Sequence, residues 1–176
     1  SKRIPPALDD KVLADWNGLM IGALARAATV FDRPEWRGAA RSAFQFVTEN
    51  MSLDDGSDAR LLHAWRNGAA RHTATLDDYA NMCRGALLLF EATQDHNYIN
   101  RAKSWVAVAN RHYWDDNGGG YYFTAGDATD VITRTKNALD NATPAGNGVM
   151  AEVLARLYYL TGDDDYRRRC DTLIAA

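Results

Sequence analysis

Apolar positions along the chain fall into three long helical runs, each followed by a more polar one. Leu19, Met20, Ile21, Ala23, Leu24, Ala25 and Ala27 leave the first run little polar face. Met82, Cys83, Ala86, Leu87, Leu88, Leu89 and Phe90 do the same in the second, and Val149, Met150, Val153, Leu154, Leu157, Tyr158 and Tyr159 in the third. A helix that is apolar almost all round belongs in the interior. The intervening runs are amphipathic: Trp36, Ala39, Ala40, Ala43, Phe44 and Val47 recur at helical spacing, with Arg37, Arg41 and Gln45 left for water. Tyr98, Ala102, Trp105, Val106, Ala109 and Tyr113 repeat that pattern, with Arg101 and Lys103 outside.

These runs repeat one plan. A polar or small cluster (Trp16-Asn17-Gly18, Asp78-Tyr79-Ala80, Gly146-Asn147-Gly148) opens an apolar helix, a turn with Thr and Asp follows, and an aromatic (Trp36, Tyr98, Tyr166) opens the second helix. Buried inner helices alternating with amphipathic outer ones predict an all-α fold, an α/α toroid in which each hairpin covers its neighbour. Three hairpins are about half of a six-hairpin barrel, so residues 1–176 read as a partial toroid domain of a longer protein. An open α-solenoid is the alternative arrangement of the same hairpins.

Long returns separate the hairpins, from about Met51 to Thr75 and from about Trp114 to Gly146. Loops of that length in a compact domain commonly carry function. In the first, Asn67-Gly68 suits a type I′ turn between two strands. In the second, Gly118-Gly119-Gly120-Tyr121-Tyr122-Phe123-Thr124 and Val131-Ile132-Thr133-Arg134 read as a two-stranded ribbon. Both returns feed inner-helix N-termini, which present free N–H groups and the positive end of the helix dipole.

That rim gathers Asp15, Trp16, Asn17, Asp77, Asp78, Tyr79, Asp140, Asn141 and Asn147 in sequence, with Arg66, Arg71, His72, Arg134 and Lys136 nearby. Aromatic faces, amides and carboxylates together suit a sugar, whose C–H face stacks and whose hydroxyls bond. The expected site has Asp78 and Asp140 as acid–base residues, since two carboxylates can cleave a glycoside. Trp16, Trp65 and Tyr79 are the stacking surfaces, and Asn17, His72, Lys136 and Asn147 the polar contacts. On this reading Asp78→Asn abolishes binding or turnover and leaves the melting temperature nearly unchanged. Purely structural roles compete: Thr75 as an N-cap, Asp77 and Asp78 as first-turn acids, Asn147 as a cap.

Composition narrows the field. A net charge of −3 carries no basic footprint for nucleic acid, and no apolar run approaches a membrane span. Cys83 and Cys170 form no CxxC and read as reduced thiols of a cytoplasmic protein. His63, His72, His96 and His112 lack metal-ligand spacing, so no metal or other cofactor is expected, and among them only His72 reads as a site residue. A half-barrel would expose apolar inner faces, which a second copy of the chain could cover.

Several strings resemble a known family: Asp9-Asp10-Lys11-Val12-Leu13-Ala14-Asp15-Trp16-Asn17-Gly18-Leu19-Met20, Leu76-Asp77-Asp78-Tyr79-Ala80, Trp114-Asp115-Asp116 with Gly119-Gly120-Tyr121-Tyr122, and Ala142-Thr143-Pro144-Ala145-Gly146-Asn147. They resemble the thioredoxin-domain-containing proteins related to spermatogenesis-associated protein 20. The resemblance implies a thioredoxin-like domain in the parent chain, preceding an α/α toroid similar to N-acylglucosamine 2-epimerase and six-hairpin glycosidase folds. It supplies no established catalytic residue. The functional expectation is therefore a carbohydrate-binding or carbohydrate-processing toroid, with a non-catalytic scaffold attached to the thioredoxin-like domain as the rival.

Overall fold

The computed structural model describes residues 3–4, 8–54, 59–129 and 131–176. Six helices form three hairpins: α1 (Ala14–Val30) with α2 (Pro34–Asn50), α3 (Leu76–Thr93) with α4 (His96–His112), and α5 (Gly146–Thr161) with α6 (Asp164–Ala175). Inner helices α1, α3 and α5 lie side by side, with α3 in the middle. The repeat is thus an α/α-toroid arrangement, as the hydropathy pattern predicts.

Local chemistry sets the helix ends. Pro34 opens α2, where its missing N–H costs nothing. Asp95 and Asp163 cap α4 and α6, each side chain accepting from the N–H two residues on at 3.0 Å. Gln94 and Gly162 leave α3 and α5 through the left-handed region, at φ 59° and 71°.

Packing of α1 on α3 is unusually close. A Cβ built at Gly18 would lie 2.5 Å from the Asn81 carbonyl carbon, and one at Gly85 would lie 3.0 Å from the Gly18 carbonyl oxygen. Around this contact the core runs from Ile21 and Ala25 through Met82, Leu89 and Trp105 to Val153 and Leu157.

Only α3 is buried nearly all round. Trp16 and Met20 on α1 are exposed, as is Tyr159 on α5. The burial expected of the apolar helices is nearly complete in α3, and the exposed apolar residues expected of a half-barrel fall on α1 and α5. Helices α1 and α5 each have one inner-helix neighbour among the described residues, so their far flanks meet solvent.

Four short strands stand at the N-terminal end of the inner helices: β1 (Val12–Leu13), β2 (Ser52–Asp54), β3 (Ala59–Arg66) and β4 (Ala69–Thr73). All pair with β3, antiparallel. Asn67 and Gly68 join β3 to β4 at φ 52° and 78°, both positive as a type I′ turn requires.

The ribbon expected in the second return does not form. Trp114 and Tyr121 make a single bridge, closed by Gly119 and Gly120 at φ 70° and 73°. Residues Val131–Arg134 form no strand, and Ile132 is fully exposed. The two segments share one backbone bond, from the Phe123 N–H to the Thr135 carbonyl at 2.7 Å, while the Arg134 guanidinium donates to the Thr124 and His112 carbonyls at 3.0 Å and lies over the Tyr122 ring.

No helix among the described residues is long and apolar enough to cross a membrane.

Candidate functional site

Where α3 begins, its first acidic residues reach both neighbouring inner helices. Asp77 Oδ1 accepts from the Gly146 N–H of α5 at 2.9 Å, and Asp78 Oδ1 accepts from the Asp15 N–H of α1, also at 2.9 Å. These are first-turn amides, which lack partners within their own helices. Asp78 Oδ2 takes the Thr75 N–H at 2.7 Å and its hydroxyl at 3.0 Å, closing a capping box.

The fourth donor to Asp78 is His63. Its Nδ1 lies 2.9 Å and 3.1 Å from the two carboxylate oxygens. An ionised carboxylate can only accept, so Nδ1 carries the proton. The side chain is one-third exposed, at 33%, whereas Asp78 is at 0%. Asp78 therefore fixes the ring while remaining out of reach of any ligand, and Nε2 is left to gain or release a proton. Residue alternation explains the placement. On β3, His63 shares a face with the buried Leu61, and that face meets the start of α3, where the Tyr79 hydroxyl accepts from Leu61 N–H.

Asp15, His63 and Asp78 each bring a potential ligand atom within 4.8 Å of the others. A cation there would compete with four donors already on Asp78, so the cluster suits proton transfer better than metal binding. Burial, then the nearby Asp78 charge, raises the Asp15 carboxyl pKa. The hydrogen bond to Asp78 raises that of His63, against burial and with help from the Asp78 and Asp15 charges. Burial also raises Asp77, partly countered by the Gly146 N–H.

These shifts fix the sign of a pH effect. A histidine raised from 6.5 adds stability that is full below the unfolded value and is lost as pH rises through the folded one. Raised carboxyls on Asp15 and Asp77 act in the same direction, at lower pH. The urea midpoint should therefore fall between pH 6 and pH 9, and His63→Gln should flatten that fall. An equal fall in the variant would show that His63 is not its source.

The remaining expected site residues divide sharply. Trp16, 61% exposed, stands beside Asp15 as an open aromatic face at the rim. Asn17 is half-buried, and its amide donates to the Leu13 carbonyl at 2.8 Å. Trp65 packs edge-on against Phe46 of α2, with ring centroids 5.3 Å apart. His72 is exposed and left-handed, at φ 64°, lining a hollow with Lys11, Arg66 and Arg71.

The other four spend side-chain groups on the scaffold or lie within it. Tyr79 is at 0% exposure and cannot offer a ring face. Asp140 is exposed on the return loop, accepting from the Ala145 N–H at 2.9 Å, whereas Asp78 is buried. Asn147 clamps that loop through the Tyr121 N–H and the carbonyls of Tyr121 and Asn137. Lys136 pairs with Asp115 at 2.5 Å and donates to the Gly119 carbonyl at 2.6 Å.

His63 is the residue missed from sequence. The signal was present: the Asn67-Gly68 turn fixes the hairpin register, and alternation then puts His63 on the face of Leu61.

No family model matches the chain. Spermatogenesis-associated protein 20 is a homologue. The Rattus norvegicus protein is 33% identical over 176 residues, which cover 96% of this chain and 22% of that protein. The Homo sapiens protein is 31% identical over 181 residues, 99% and 23% of the two. The chain thus spans about a fifth of the length of these curated relatives. Similar solved structures share the toroid. Cellobiose 2-epimerase from Spirochaeta thermophila aligns with a TM-score of 0.74 at 16% identity, over 94% of this chain and 42% of that one. A GH76 α-mannanase of Bacteroides thetaiotaomicron gives 0.71 at 15% identity, over 99% and 45%.

Proposed function

We propose that this chain supplies the rim of a carbohydrate site in a sugar-processing toroid, with His63 as the proton-transfer residue and Asp78 as its positioning residue. One observation carries the reading: a partly exposed imidazole, oriented through Nδ1 by a buried carboxylate, with Asp15 beside it. A base held this way has one ring nitrogen committed to the protein and the other left for a substrate. Trp16 supports the reading as a stacking surface one residue from Asp15, and Asn17 as a neighbouring polar contact. Support also comes from the sugar-acting proteins that share the fold, though their fold alone carries no chemistry over.

A thermal-shift screen of the intact protein against neutral aldoses, amino sugars and sugar acids tests it. A sugar that binds only the folded state raises the melting temperature. The expected result is a rise with at least one sugar that Trp16→Ala abolishes without changing the melting temperature of the free protein. His63→Gln should keep that rise while removing any turnover. No rise with any sugar overturns the proposal.

A specific observation favours the rival scaffold. Asp77, Asp78, Asp140 and Asn147 all spend side-chain groups on backbone partners, as load-carrying residues of an interaction platform would. On that reading the toroid presents a surface for a protein partner or for a thioredoxin-like domain of the parent chain.

A further inference from the structure

A second feature runs along the inner helices below the rim. Gly18, Leu19, Gly22, Ala23 and Arg26 of α1 face Arg84, Leu88 and Glu91 of α3 and Glu152 and Arg156 of α5 across a groove of about 390 Å³. Only inner helices line it, so it lies on the concave side of the toroid, opposite α2, α4 and α6. Its volume falls within the ordinary range of small-ligand sites. Gly18 and Gly22 bring α1 close against α3, which forms the floor of the groove.

The charges in the groove do not balance. Arg156 pairs with Glu91, and with Glu152 at 3.1 Å. Arg84 Nε lies 3.1 Å from Glu152 Oε2, yet it makes no hydrogen bond and is buried. A buried N–H without an acceptor is costly, and natural folds retain few. Arg26 has neither an ion pair nor a hydrogen bond among the described residues. Three guanidiniums therefore face two carboxylates, and one positive charge in a partly enclosed groove lacks a counter-charge.

We infer that this groove binds the carboxylate of an acidic oligosaccharide, with Arg26 and Arg84 as its anion contacts. The inference rests on the carbohydrate reading above and names its substrate class. The groove begins at Gly18, one helical turn below Asp15. Arg26 is about 16 Å from Asp15 along the helix axis, at 1.5 Å per residue. That exceeds one sugar ring, so the carboxylate belongs to a different unit from the one at His63. Guanidinium suits the role because its planar N–H fork matches a carboxylate in a bidentate manner. Neutral sugars can offer hydroxyl acceptors to these guanidiniums but leave the extra positive charge uncompensated.

Titration calorimetry on the intact protein at low ionic strength tests this with trigalacturonate, its methyl ester and maltotriose. Trigalacturonate should bind at least tenfold more tightly than the other two, and added salt should erode the difference. Arg26→Ala, an exposed position whose loss leaves the fold intact, should remove that preference and leave maltotriose binding unchanged. Equal binding of all three ligands, unaffected by Arg26→Ala, overturns this inference and leaves the carbohydrate reading standing. Binding of none of them, together with a sugar screen that shows no shift, overturns both.

Discussion

Asp78→Ala is expected to destabilise the intact protein by about 3–5 kcal/mol, read as a fall in the urea midpoint. The size follows from what the carboxylate holds. Two backbone N–H groups, one hydroxyl and one imidazole converge on a side chain at 0% exposure. Hydrogen bonds to a charged group contribute more than neutral ones, and each donor left buried without a partner adds its own desolvation cost. Asp78→Asn keeps the shape but turns one acceptor oxygen into a donor that faces other donors, so it too should melt early. That reverses the expectation from sequence that Asn would spare the melting temperature. An unchanged midpoint for the alanine variant would mean that water replaces the carboxylate at all four donors.

Gly18→Ala is expected to cost about 3 kcal/mol, at the upper end for an overpacked contact. Helix propensity alone says the opposite, because alanine in a helix interior is favoured over glycine by about 1 kcal/mol. The sign of the measured change therefore decides which effect wins. The added methyl would meet the Asn81 carbonyl carbon at 2.5 Å, its oxygen at 2.7 Å and the Met82 nitrogen at 2.7 Å. All three are backbone atoms and cannot rotate aside, so α1 would have to move off α3. Gly38→Ala in α2 is the matched control: nothing lies within 4 Å of its Cβ, and it should stabilise. Stabilisation of both variants would mean that α1 shifts at little cost.

The fold was legible because helical periodicity and the Thr–Asp turns act locally. The runs at Leu19–Ala27, Met82–Phe90 and Val149–Tyr159 mark the inner helices whatever surrounds them. Burial was less legible, because Tyr159 and Met20 are apolar whether or not a neighbouring helix covers them. At the site, residue types were readable and commitments were not. Asn147 and Lys136 look like ligand contacts until their partners, the Tyr121 backbone and Asp115, are known. His63 was hidden for the converse reason. Its meaning depends on a pairing with Asp78 fifteen positions away, made only when β3 lies across the start of α3. The ribbon at Val131–Arg134 was over-read because β-branched residues predict extension but not a ladder partner.

The adjacent aspartates at the head of α3 tie the three inner helices into one cooperative unit. Fraying normally begins at first-turn amides, where each helix loosens independently and hydrogen exchange is fastest. Here the first turns of α1 and α5 are both fastened to successive residues of α3. Opening the head of α3 therefore releases its two neighbours together, and neither neighbour can unwind from its head without first breaking a bond to α3. The inner wall should open in one concerted step, making its N-terminal rim the firm end of the barrel, a fitting place for groups that must hold their geometry.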